Sequence, residues 1–126
     1  MDYVSPTHQQ ILDVVQRSNF VVIVDNHRVC RNDKYDGYTI LSKDKLSESG
    51  RNEFVICVKT HQKNYQDWEG ELGRTIAHEA VHVAQMCKSY DGLIRPLGFR
   101  KDIEKEAFAV QDQPREVLRI LKKYCL

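Results

Sequence analysis

Five consecutive residues, His78-Glu79-Ala80-Val81-His82, combine the side chains that metal-assisted hydrolysis requires. On a helix of 3.6 residues per turn, positions 78 and 82 lie about 40° apart around the axis and one turn along it, so both imidazoles reach one ion from one face. That geometry suits zinc. Glu79, about 100° round from His78, is poorly placed to ligate but well placed to hold a water on the ion's open position, which makes it the general base. Ile76, Ala77, Ala80, Val81 and Ala84 make the stretch from Gly70 to Tyr90 apolar around most of its circumference, as in a buried helix. Two histidines and a glutamate are normally expelled from such a helix unless their burial is compensated. A bound metal compensates all three; a polar cluster that satisfies itself is the bland alternative.

The other histidines, His8, His27 and His61, all precede this helix, so a third ligand from downstream must be a carboxylate. With His78, Glu79 and His82 in a strand, buried helix, loop, helix order, residues 53 to 112 resemble the zincin metallopeptidases. The long metzincin form needs glycine at position 85 and histidine at position 88, where this chain has Gln85 and Lys88; Cys57 does not sit in the cysteine motif of peptide deformylases. The stretch Ile103 to Val110 is similar to the second metal helix of gluzincins, where a glutamate well past the second histidine completes the site. The resemblance assigns that role to Glu106. Glu104 remains the alternative, and both acids also suit the first turns of a helix on dipole grounds alone. Helical angles favour Glu106, at roughly 60° from Ile103 on the side of the buried stripe, over Glu104, at about 100° on the other side.

The resemblance implies a zinc-dependent peptidase with Zn2+ held by His78, His82 and Glu106, acting on a peptide or protein substrate. In that family the substrate pairs with an edge strand beside the metal helix, and Phe54 to Lys59 is the strand nearest in sequence. A donor for the tetrahedral intermediate is expected among Tyr90, Arg95, Arg100, Tyr124 and His61. Two other functions stay open: a catalytically inactive zincin-like module whose metal staples a protein-binding core, and amide hydrolysis on a non-peptide substrate.

The elements that must position these residues are legible from caps and periodicity. Ser5-Pro6 starts a helix carrying Ile11, Leu12 and Val15 to about Asn19. Phe20 to Val24, Arg28 to Arg31, Tyr38 to Leu41 and Glu53 to Thr60 read as short antiparallel strands, separated by turns at Asp25-Asn26 and Asn32-Asp33 and an exposed loop at 42–52. Trp68 is expected as a core anchor before the metal helix. Asp91-Gly92 stops that helix, Asp102 caps another, and Pro114 heads a last one with a stripe of Val117, Leu118, Leu121 and Tyr124. The expected fold is α+β: one zincin-like domain over residues 1–126, a small antiparallel sheet on the buried helix with flanking helices.

Composition sets the outer limits. The 126 residues leave room for one core. Nineteen basic against eighteen acidic residues give a net charge of +1, so no basic field points to nucleic acid or to an anionic membrane. The longest apolar runs fall far short of the roughly 20 residues of a membrane span. The N-terminus lacks the basic start and apolar stretch of a secretory signal, which leads to a cytoplasmic location with Cys30, Cys57, Cys87 and Cys125 as reduced thiols. Oligomeric state is not legible.

Overall fold

The computed structural model describes residues 4–25, 29–30, 36–57 and 68–126, with side chains at 68–70 outside the description. Helix α1 (Pro6–Arg17) begins as its sequence dictates: the Ser5 hydroxyl accepts the His8 N–H and Pro6 occupies the first turn. Asn19, at φ 68°, reverses the chain into strand β1 (Phe20–Val24). Strands β2 (Gly37–Ile40) and β3 (Asn52–Ile56) follow, then helices α2 (Trp68–Lys88), α3 (Ile103–Val110) and α4 (Pro114–Cys125).

The protein is α+β, and its sheet is mixed where an antiparallel one was expected. The order is β1-β3-β2: β3 runs parallel to β1, with Val22 opposite Phe54, and antiparallel to β2, with Thr39 opposite Phe54. The reason is that β1 and β2 do not form a hairpin; the later strand enters between them. Arg28, Arg31, the Asn32-Asp33 turn and residues 58–60 lie outside the described residues, and Val29 and Cys30 between them form a turn instead of a strand. The Trp68 side chain also lies outside the description.

Helices α1, α2 and α4 pack on one another, α2 lies against β2 and β3, and α1 lies against β1. Ile11, Val15, Phe54, Ile76, Ala80 and Leu121 are fully buried between these layers. Burial is continuous along α2 from Ile76 to Gln85 except at His78, so α2 is the spine of the core. The 42–52 loop is exposed as expected. It is held by a buried carboxylate, Glu53, which accepts the N–H groups of Glu48 and Ser49 at 2.8 and 2.7 Å and the Ser47 hydroxyl at 3.3 Å.

The cysteines overturn the expectation of free thiols. Cys30 is bonded to Cys57 and Cys87 to Cys125, the second bond joining the C-terminal ends of α2 and α4. Protein unfolded without reductant should therefore show no thiol reactivity, and four thiols after reduction; four reactive thiols before reduction would refute the pairing. Reduction should lower stability by about 2–4 kcal/mol per bond. Persistent disulfides belong to oxidising compartments, so the cytoplasmic expectation loses the support of free thiols. Among the described residues no helix is long and apolar enough to cross a membrane.

Candidate metal centre

Helix α2 carries His78 and His82 one turn apart, and His82 lines a cleft of about 420 Å³. The partner carboxylate comes from α3, and it is Glu104. Its Oε1 lies 2.6 Å from His82 Nε2 and its Oε2 lies 3.4 Å from His78 Nε2. Ligand atoms from His78, His82 and Glu104 all fall within 4.8 Å of one another, and this group can hold a metal ion.

Glu106, expected as the ligand, is not at this site. It is fully buried, as the angular reading required, but its carboxylate turns to the chain entering α3. Oε1 accepts the Leu97 N–H at 2.6 Å, and Oε2 accepts those of Gly98, Phe99 and Arg100 at 2.7, 3.0 and 3.3 Å. Gly98, at φ 118°, supplies a backbone conformation closed to most residues, which helps successive N–H groups converge on one anion. Asp102 caps α3 through Lys105 N at 2.8 Å, so the helix begins where the sequence placed it. The start of the helix was legible and the carboxylate that reaches the metal site was not.

Each imidazole is held from behind. His78 Nδ1 lies 2.9 Å from Gln111 Oε1, and its ring meets Phe108 edge-on with centroids 4.7 Å apart. His82 Nδ1 lies 2.8 Å from Gln85 Oε1. Amide oxygens at Nδ1 leave the Nε2 lone pairs facing Glu104, the orientation that metal-binding histidines need. Neither glutamine was singled out as a site residue; the signal for Gln85 was a polar residue three positions past His82 in an otherwise apolar helix.

Glu79 is buried at the cleft wall, with Oε1 2.9 Å from the Thr39 hydroxyl on β2. Burial raises its pKa, more than the nearby His82 and His78 and the Thr39 hydroxyl lower it. A carboxylate shifted upward in this way is a stronger base at neutral pH. Gly37 permits the close approach of β2: a Cβ there would fall 2.8 Å from Thr75 Cγ2, 2.9 Å from the Val55 carbonyl oxygen and 3.2 Å from Glu79 Cγ. Any side chain at 37 would push the strand from α2.

Strand β3, nearest in sequence, is central in the sheet and flanked on both sides, so the edge beside α2 is β2. Residues 58 and 59 of the expected substrate strand lie outside the described residues. Among the described residues, the expected intermediate-stabilising donors Tyr90, Arg95, Arg100 and Tyr124 do not line this cleft. Tyr90 points fully into solvent, Arg95 pairs with Asp91 at 2.6 Å, Arg100 donates to the Phe99 carbonyl, and Tyr124 lies beneath the Lys88 and Lys123 ammonium groups. His61 lies outside the described residues. Ile94 and Ile103 are the apolar residues of the lining; Tyr38 borders it through its strand, because alternation along β2 puts its side chain with Val55 on the sheet face away from α2.

The buried carboxylates give the fold a pH signature. Burial opposes ionisation of Glu106, but the Leu97 N–H, the Gln85 amide and the Gly98 and Arg100 N–H groups outweigh it and hold the pKa below the ordinary value. Glu53 is likewise lowered, burial being outweighed by Ser49, Glu48 and Ser47 donors. A depressed folded-state pKa contributes stability that is complete above the unfolded-state value of about 4.3 and lost as pH falls through the folded-state value. Unfolding temperatures should therefore drop steadily below about pH 4.3. In Glu106→Gln that slope should be shallower; an unchanged slope would mean that Glu106 titrates normally.

No curated protein matches the chain, and no solved structure matches it. The family described as "Domain of unknown function (DUF8637)" matches residues 1–101, a span that takes in the whole sheet together with His78, Glu79 and His82, and the chain belongs to that family.

Proposed function

We propose that this protein is a zinc-dependent peptidase that cleaves peptide bonds with Glu79 as general base and His78, His82 and Glu104 as the metal ligands. The observation that carries the reading is the convergence of two imidazoles on one carboxylate, with His82, Glu104 and the buried Glu79 all lining the same cleft. The donor set fits the ion: two neutral imidazole nitrogens and one carboxylate oxygen are the ligands of catalytic zinc, and three protein ligands leave a position for water or substrate. His82 Nε2 and Glu104 Oε1, at 2.6 Å, require a cation at this position, whether a proton or a metal ion.

The ion, when bound, supplies Lewis acidity that acidifies a water and polarises a carbonyl. Glu79 takes the proton from the attacking water and returns it to the leaving amine. The Thr39 hydroxyl fixes the Glu79 carboxylate on the cleft side of α2, and β2 offers an extended edge along which a peptide backbone can lie. Support for an oxidising compartment as the place of action comes from the two disulfides. Glu104, with 55% of its side chain exposed, favours an open reactive site over a metal staple sealed in the core.

The test is elemental analysis of protein purified without added metal, followed by a peptide-library screen with and without chelator. Stoichiometric zinc and chelator-sensitive cleavage are expected. Protein that neither retains nor binds zinc would overturn the reading; zinc without cleavage of any library peptide would favour the binding module.

A further inference from the structure

Glu106 and Gln85 occupy buried positions that the proposed chemistry does not use, and they are joined to each other and to His82. Five donors converge on the Glu106 carboxylate: four backbone N–H groups and the Gln85 side-chain amide, whose Nε2 lies 2.9 Å from Oε1. Only an ionised carboxylate accepts that many. Gln85 Nε2 also donates to the Ile103 carbonyl oxygen at 3.1 Å. Both N–H bonds of the amide are thereby committed to groups that only accept. Turning the amide over would set its oxygen against a carboxylate and a carbonyl with no proton between them, a buried arrangement of high cost. Gln85 Oε1 must therefore face His82, and an oxygen accepts only if Nδ1 carries a proton.

We infer that Glu106 and Gln85 are positioning residues forming a relay that fixes His82 in the Nδ1–H tautomer, reserving its Nε2 lone pair for a metal ion. The same carboxylate holds the 97–100 segment against α3, so the chain that carries Ile94 to the cleft and the orientation of His82 share one anchor. The consequence for metal affinity rests on the zinc reading. The tautomer does not: Gln85 Oε1 is locked against Nδ1 by two buried acceptors, whereas the exposed Glu104 carboxylate is free to swing away from an Nε2 that carries no proton.

The experiment is long-range 15N–1H correlation NMR on the metal-free full chain, at a pH where the same spectra show a neutral imidazole, paired with zinc titration. Without the relay, the nearby Glu104 carboxylate would draw the proton to Nε2. The expected result is Nδ1–H at His82 in the wild type, and a mixture or Nε2–H in Gln85→Leu with zinc affinity reduced by about 10- to 100-fold. An Nε2–H tautomer in the wild type overturns the inference, as does a folded Gln85→Leu with unchanged tautomer and unchanged affinity. The wild-type spectrum decides even if Gln85→Leu fails to fold. A wild type that binds no zinc but shows Nδ1–H, lost on Gln85→Leu, supports the relay and sinks the zinc reading alone.

Discussion

Glu79→Gln is expected to keep its zinc and its unfolding temperature while losing about 10²–10⁴-fold in turnover on whichever library peptide the wild type cleaves. The amide matches the carboxylate in shape, and its oxygen can still accept the Thr39 hydroxyl that lies 2.9 Å from Oε1. Nothing in the core has to move. What disappears is the ability to take a proton, which burial had strengthened by raising the pKa of the acid. Substrate binding along β2 should survive, so the loss should fall on kcat and leave KM nearly unchanged. Turnover within a few-fold of wild type would remove Glu79 from the chemistry.

The second large effect separates two glutamates two positions apart. Glu104→Ala should weaken zinc binding by more than the roughly 10- to 100-fold that loss of a supporting partner brings, because a direct ligand is removed. Stability should change little, since Glu104 is exposed and its carboxylate is held by the two imidazoles. Glu106→Gln should do the reverse in emphasis: a moderate effect on zinc, and a clear loss of stability as an amide N–H is set among backbone N–H donors. Isothermal titration with zinc and thermal unfolding of both variants make the comparison. A larger zinc defect in Glu106→Gln would return the ligand role to that residue.

The difference between these glutamates shows where sequence reasoning stopped. Angles around α3 correctly placed Glu106 on the core side with Ala107 and Val110. Burial was then equated with proximity to the metal, whereas the site lies at the margin of α2 and α3, within reach of the more exposed acid. The donors that claim Glu106 are backbone N–H groups of 97–100, and no residue type announces them. Ser5, Asp102 and Pro114 were readable because a cap is a local matter of one side chain or ring and the next turn. Strand direction was not, because β3 pairs with β1 across the 27 residues between Val24 and Asn52, and with β2 on its other side. Disulfide partners 27 and 38 positions apart are equally non-local, and neither the wide cysteine spacing nor the N-terminus reveals the pairing.

The strand order has a consequence for how the chain assembles during synthesis. The central strand is the last of the three to be made, so β1 and β2 emerge with nothing between them and no ladder to join. Helix α4 then closes on α1, bringing the final element against the first. Such long-range closures must overcome loop entropy before they are rewarded, which places this protein among slower folders for its size. A nascent chain ending near residue 50 holds two unpaired, apolar strand edges, the kind of surface that aggregates or recruits a chaperone. Cooperative structure has to wait for residues 52–56 and for the helices that cover them.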